Sequence, residues 1–156
     1  MQSTELDPVD RALLALLQSD GRITNAEMAR RVNLSPPAVL VRVRRLEEMG
    51  VICRYVALLA PAALGFDMLC FLQVTLQRHG PAEVDAFRMA VRAMPEVLEC
   101  HHVTGEYDYL LKVAIRNRQD LERFVVHRLT PAPGVARIHT SLVLSEIKNE
   151  TALPVE

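Results

Sequence analysis

Three stretches of the chain carry side chains whose types and spacing suit chemistry. The first, Cys100-His101-His102, has the ligand types of a metal site. The run reads as a strand, and strand neighbours point to opposite faces, so both histidines cannot join one ion with Cys100. No further group at a metal-ligand spacing lies nearby, and ordinary strand residues are the favoured reading. The second stretch is Thr104-Gly105-Glu106-Tyr107-Asp108-Tyr109. A glycine between two strands permits a tight turn with free backbone N–H groups, which suit a carboxylate. Asp108 beside it suits an ammonium group, so the two together complement an amino-acid zwitterion. A hairpin with a glycine bulge accounts for the same residues equally well. A nucleophile elbow, a P-loop and a dinucleotide glycine fingerprint are all missing, which argues against an enzyme.

The third stretch is Ser35 to Met49. Ser35 caps a helix whose first residue is Pro36, and Gly50 stops it. At 100° per residue Val39, Val43 and Leu46 fall within about 60° of one another and face inward. Pro37, Val41, Arg44, Arg45 and Glu48 then project outward, with Arg42 on the flank. A lone valine among arginines suits a thymine methyl in the major groove, and the arginines suit phosphates or guanine edges. Ser35, Pro37, Val41, Arg42, Arg44 and Arg45 are the candidate DNA contacts. Residues 1–52 hold seven arginines and seven acids. The inference therefore rests on which way the side chains face, not on total charge.

The elements that must position these residues are legible in turn. Asp7-Pro8 starts a first helix with an apolar stripe of Val9, Leu13, Leu16 and Leu17, and Asp20-Gly21 ends it. Thr24-Asn25-Ala26-Glu27 reads as a capping box opening a second helix that buries Met28, Ala29 and Val32. Asn33-Leu34 allows only a turn before the third helix, which makes the three a helix-turn-helix. A plain helical subdomain is the alternative. Arg54 to Leu59 looks extended, and Pro61 with Gly65 marks a linker. Strands are then expected over Met68–Leu76, Val97–Val103, Tyr107–Ile115 and Val135–Leu144. Helices are expected from Ala82 to Ala93 and, capped by Asn117, through Leu121, Phe124, Val125 and Leu129. That order is the split βαβ, ferredoxin-like arrangement, so the fold class is α+β, a winged-helix-like helix-turn-helix followed by a βαββαβ domain. The expected domains are 6–60 and 68–150, with 61–67 as linker.

Composition excludes several classes. The chain has 156 residues and is 50% hydrophobic and 24% charged, which is globular composition. Its net charge is -1, so any basic face must be local. Only Lys112 and Lys148 among the 18 basic residues are lysines, a bias that suits bidentate recognition and high-GC codon usage alike. The longest apolar stretch, Val56 to Val74, is interrupted by Pro61, Gly65 and Asp67, short of the ~20 residues a membrane helix needs. The polar start lacks a signal-peptide pattern. Cys53, Cys70 and Cys100 form no CxxC pair and suit a reducing cytoplasm.

A family resemblance joins these observations. Leu6-Asp7, Asp10-Arg11, Leu17-Gln18, Asp20-Gly21-Arg22, Leu34-Ser35-Pro36, Arg42 to Glu47 and Gly50-Val51-Ile52 resemble the DNA-binding half of the Lrp/AsnC regulators. Val103 to Val113 resembles the signature of that family's effector domain. The tail Thr151 to Pro154 is similar to members that regulate amino-acid catabolism. The resemblance implies a homodimer built through the C-terminal sheets, commonly assembled into octamers. It also implies an amino-acid effector between dimers, near Thr104, Gly105, Glu106, Tyr107 and Asp108. By position, Thr140, Ser141 and Ser145 join that pocket. Glu106 stands where members often carry aspartate, which keeps the charge. Ser145 replaces the longer polar side chain of the asparagine-responsive branch, so asparagine is not the expected effector. Leucine, valine or a cysteine-like amino acid fits the small pocket residues. The expected function is a sequence-specific, amino-acid-responsive regulator of amino-acid metabolism genes, with no other cofactor, metal or membrane partner. An architectural DNA-binding protein without an effector is the alternative.

Overall fold

The computed structural model describes residues 6–155, so the polar start at residues 1–5 lies outside the described residues. They form two units with separate cores. One holds the described residues through Leu58 plus the tail from Lys148, and the other runs Leu59–Ile147. Gln18 shows how the tail is held: its Nε2 donates to the Leu153 carbonyl at 2.9 Å and its Oε1 accepts from the Leu153 N–H at 2.6 Å. A side-chain amide has one donor side and one acceptor side, as a peptide unit does, so it can hold extended backbone.

The first unit consists of α1 (Pro8–Ser19), α2 (Asn25–Val32) and α3 (Pro36–Glu48). Helices of 12, 8 and 13 residues are marginal alone and need tertiary packing. They bury Leu13, Met28, Ala29, Val39, Val43 and Leu46 between them. The caps depart from expectation in one respect. Thr24 accepts from the Glu27 N–H at 3.2 Å, but the Glu27 carboxylate turns to Arg30 and Arg31, leaving half a capping box. The reciprocal box belongs to α1: Asp7 accepts from the Asp10 N–H at 2.8 Å, and Asp10 from the Asp7 N–H at 3.4 Å. Past α3, the Gly50 N–H reaches the Glu47 carbonyl and the Val51 N–H reaches Leu46, with Gly50 at φ 70°. This is a Schellman stop, available because glycine tolerates left-handed backbone. Residues 53–60 enter no strand or helix.

In the second unit, β1 (Met68–Leu76), α4 (Pro81–Arg92), β2 (Val97–His102), β3 (Tyr109–Ile115), α5 (Arg118–Phe124) and β4 (Val135–Leu142) follow the expected order. The strands make one antiparallel sheet in the order β2-β3-β1-β4. Cys70, Leu72 and Val74 of β1 pair with Val113, Leu111 and Tyr109 of β3, and all six are buried against Phe87 and Val91 of α4 and Phe124 of α5. The opposite face of the sheet carries Leu69, Phe71, Leu110 and Ala114, all half-buried. A continuous α-helix through Leu129 was expected, but Val125–Leu129 winds as a π-helical turn. At 100° per residue, Phe124 and Leu129 would point about 140° apart. The wider turn lets both enter the core, and Val125's carbonyl accepts from both the N–H and the hydroxyl of Thr130.

Candidate functional site

Helix α3 presents two faces of different character. Val39, Val43 and Leu46 are buried, while Ser35, Pro37, Val41, Arg44 and Arg45 are exposed, Val41 at 68%. Ser35 spends its hydroxyl on the cap, accepting from the Ala38 N–H at 3.4 Å. The arginines divide into two groups. Arg42 lies half-buried, its Nη1 2.6 Å from Asp7 and 2.9 Å from Asp10. Arg45 places Nη2 2.5 Å from the second oxygen of Asp10. Arg44 has no ion pair within 4 Å among the described residues and stands beside Val41 on the solvent side. Arg45 is thus outward as expected but paired with α1, as is Arg42 on the flank.

Asp10 was not singled out by sequence. Among the described residues it is the charged one that this unit buries completely, and an unpaired buried carboxylate costs several kcal/mol. Two guanidinium groups and an N–H offset that cost. The Asp10 N–H bond, together with Arg42, also holds the Asp7 carboxyl below the usual range, and Arg42 is correspondingly held more firmly charged. The signal that could have revealed Asp10 is its place three residues after a capping aspartate, on the stripe shared with Leu13, Leu14 and Leu17.

The second candidate is the turn from Val103 to Asp108. Gly105 sits at φ +129°, and a side-chain Cβ there would meet nothing within 4 Å. The glycine is thus demanded by backbone angle and not by crowding. Thr104, Gly105 and Glu106 are exposed, while Tyr107 and Asp108 are half-buried. Tyr107 lies in the turn and not in the strand expected over Tyr107–Ile115, since β3 starts at Tyr109. Asp108 fixes the turn to the sheet: one carboxylate oxygen accepts the Leu76 N–H at 2.7 Å and the other meets His79 Nε2 at 2.9 Å. Burial pushes its carboxyl up, but the Leu76 N–H and His79 outweigh that and bring it below the usual 3.8. Each oxygen retains a second lone pair, so an ammonium group can still bind. His79 went unnoticed in the sequence because 29 residues separate it from Asp108.

The structure does not gather Thr140, Ser141 and Ser145 on one surface. Thr140 pairs with buried Leu72 and Ser141 with Phe71, so the two point to opposite faces of the sheet, and Ser145 lies beyond the strand. β4 is also separated from β3 by β1, about 10 Å of sheet. The same alternation splits Cys100-His101-His102. His101 and Glu99 share the open face with Lys112, where their bonds lower the Glu99 carboxyl, while His102 stacks on Tyr109 on the helix face. Burial pushes the Cys100 thiol up, with Arg88 countering only in part. Among the described residues no group of three or more His, Cys, Asp or Glu is placed to hold a metal ion.

This arrangement, a helix-turn-helix with an arginine-and-valine face followed by a four-stranded antiparallel sheet with a glycine turn, has close counterparts. Residues 69–153 match the Lrp/AsnC ligand binding domain, and residues 6–52 match a winged helix-turn-helix DNA-binding family. The chain belongs to the Lrp/AsnC family. The leucine-responsive regulatory protein of Escherichia coli K12 is 41% identical over 152 residues, covering 97% of this chain and 93% of that protein. A Neisseria meningitidis transcriptional regulator, solved in complex with L-methionine, superposes with TM-score 0.93 at 38% identity, covering 97% of both chains. A feast or famine regulatory protein of Mycobacterium tuberculosis, complexed with L-methionine, has TM-score 0.87 at 33% identity, covering 96% of this chain and 99% of its own. Like these Lrp/AsnC proteins, the chain is a DNA-binding transcriptional regulator with an amino-acid-binding domain, not an enzyme. None of the described helices is long and apolar enough to cross a membrane.

Proposed function

We propose that this regulator reads a specific operator through α3 and changes its DNA binding when an aliphatic amino acid occupies the Gly105 turn. The observation that carries the reading is the exposed Val41–Arg44 face on a helix whose other side is fully packed. Val41 suits a thymine methyl and Arg44 a guanine edge, while Pro37 and the Ser35 cap bring the helix start against the backbone. In the turn, backbone N–H groups around Gly105 take the effector's carboxylate and Asp108 its ammonium group. Support comes from the leucine-responsive name of the curated relatives and the L-methionine of two solved neighbours. Leucine, valine and methionine-like side chains are therefore the first to test, followed by the cysteine-like ones. The genes controlled are those of amino-acid metabolism.

The protein works as a homodimer. Antiparallel sheets packed on one face usually turn polar residues to solvent on the other, yet Leu69, Phe71, Leu110 and Ala114 set an apolar patch among Gln73, Glu99 and Lys112 on the open face. A second copy offers the same patch related by a two-fold axis. Dimers then associate into octamers, and Thr140, Ser141 and Ser145 complete effector pockets supplied by neighbouring subunits. A thermal-shift screen of the full chain against the twenty amino acids, followed by operator titrations with each hit, tests the proposal. Ligands that bind the native state raise the melting temperature. A screen with no hit, or hits that leave operator affinity and oligomer size unchanged, would leave an architectural DNA-binding protein instead.

A further inference from the structure

The four-residue network at the base of α3 has a consequence for DNA recognition. Asp7 caps α1 and Asp10 stands in its first turn, while Arg42 and Arg45 are three apart on α3 with their side chains drawn toward α1. Asp10 is fully buried, and both of its oxygens are taken, one by each arginine. At 100° per residue Arg42 and Arg45 lie about 100° and 40° to one side of Val41, and Arg44 about 60° to the other. The buried acid therefore draws two of α3's three arginine charges away from the outward face.

We propose that Asp10 is a positioning residue for operator recognition, holding Arg42 and Arg45 out of the phosphate contacts so that Arg44 carries α3's charge to the DNA. The inference rests on α3 being the reading helix. Phosphate contacts add affinity for any sequence, whereas base contacts specify. On the operator the base contact of Arg44 fixes the register, whereas on unrelated DNA a freed arginine can settle wherever a phosphate suits it, so withholding two arginines lowers affinity for random DNA more than for the operator and raises the ratio between them. The network also fixes how α3 is rolled about its axis against α1, because a bridge from two successive turns of α3 to one buried carboxylate resists rotation. The zero net charge of residues 1–52, which says nothing for DNA binding, is then in part the means of this restraint.

The test measures binding of the full chain to a duplex selected from random sequence and to an unrelated duplex of equal length, across a salt series. Asp10→Asn keeps the shape of the side chain while removing its charge. Its salt slope is expected to steepen by about 0.9 for each arginine released to a phosphate, with affinity for the unrelated duplex rising more than for the selected one. Arg45→Gln is expected to leave the slope at the parental value. A flatter slope in Arg45→Gln would show Arg45 already on phosphate and overturn the proposal, as would a parental slope and ratio in folded Asp10→Asn. Lower thermal stability with an unchanged slope is the mark of a merely structural pair. Should Asp10→Asn not fold, Arg45→Gln decides alone by the same criterion. Arg44→Gln separates this proposal from the reading beneath it. If that variant binds both duplexes like the parent, α3 is not the reading helix and both fall. If it loses selective binding while Asp10→Asn keeps the parental slope, only the role of Asp10 fails.

Discussion

Arg44 and Asp108 show how differently two charged side chains are committed. Arg44 has no acid within ion-pair distance among the described residues, so its fork of donors is available to a base edge. Arg44→Ala is expected to weaken specific operator binding by about 1–3 kcal/mol and to relax preference at one position, checked by anisotropy titrations on single-base operator variants. Parental affinity and footprint would remove Arg44 from base readout. Asp108 is already employed inside the protein, and the sign of its effect follows. Its folded carboxyl is held below the usual 3.8, so it contributes stability above that pH and loses it as pH falls through the lowered value. Asp108→Asn should therefore be less stable than the parent near neutral pH. The gap should narrow below about pH 4, measured by urea unfolding at several pH values. A gap of constant size would mean that the carboxylate's charge does not matter. Residue-level facing was legible for Val39, Val41, Val43 and Leu46, because helical period alone decides it. The pairing of Arg42 and Arg45 with Asp10 was not, because it joins positions 32 and 35 residues apart through a contact that only packing creates.

At the scale of elements, punctuation carried the reading. Pro8 and Pro36 mark helix starts because proline lacks the N–H that a helix interior must donate, and Gly50 marks an end because it takes a left-handed backbone. Strand β1 lies where its apolar run lies, Met68–Leu76. The misses share a cause: which acceptor a flexible side chain selects is settled by neighbours in space. Glu27 chooses two arginines over a backbone N–H, and Val125–Leu129 widens to satisfy the core and not its own propensity. Strand alternation turns Thr140 and Ser141 to opposite faces of the sheet, by the same rule that separates His101 from His102. Gly105 offers the sharpest test at this scale. Its φ of +129° is one that side chains rarely adopt, and no neighbour crowds a Cβ there. Gly105→Val should thus cost about 1–3 kcal/mol in backbone strain alone. It should abolish the effector response while operator binding persists, since α3 belongs to the other unit. Thermal unfolding with ligand and operator titrations checks this. Parental stability together with a parental response would show that the turn neither needs glycine nor holds the effector.

At the scale of the whole molecule, the open sheet face and the single reading helix make one argument. One α3 recognises one half-site, and a two-fold dimer presents two, so operators should be imperfect inverted repeats with half-sites one helical turn, or a multiple of it, apart. The dimer should close over the face bearing Leu69, Phe71, Leu110 and Ala114, because these apolar side chains share one face of the two central strands, opposite the helices. Phe71 is the largest of them and is only half-buried, paired across β4 with Ser141. An aspartate there would not enter the core behind the sheet, so the fold of the unit survives, but two copies would face each other across an apolar interface where burying a charge is costly. Phe71→Asp is accordingly expected to shift the protein toward monomer in light scattering while circular dichroism stays parental. Linked half-sites gain affinity only when one assembly holds both at once. The variant should therefore bind a two-half-site duplex no more tightly than a duplex with one, whereas the parent distinguishes them strongly. A Phe71→Asp protein that remained a dimer and still favoured the double site would place the interface on another surface, and the apolar patch of the open face would need a different occupant.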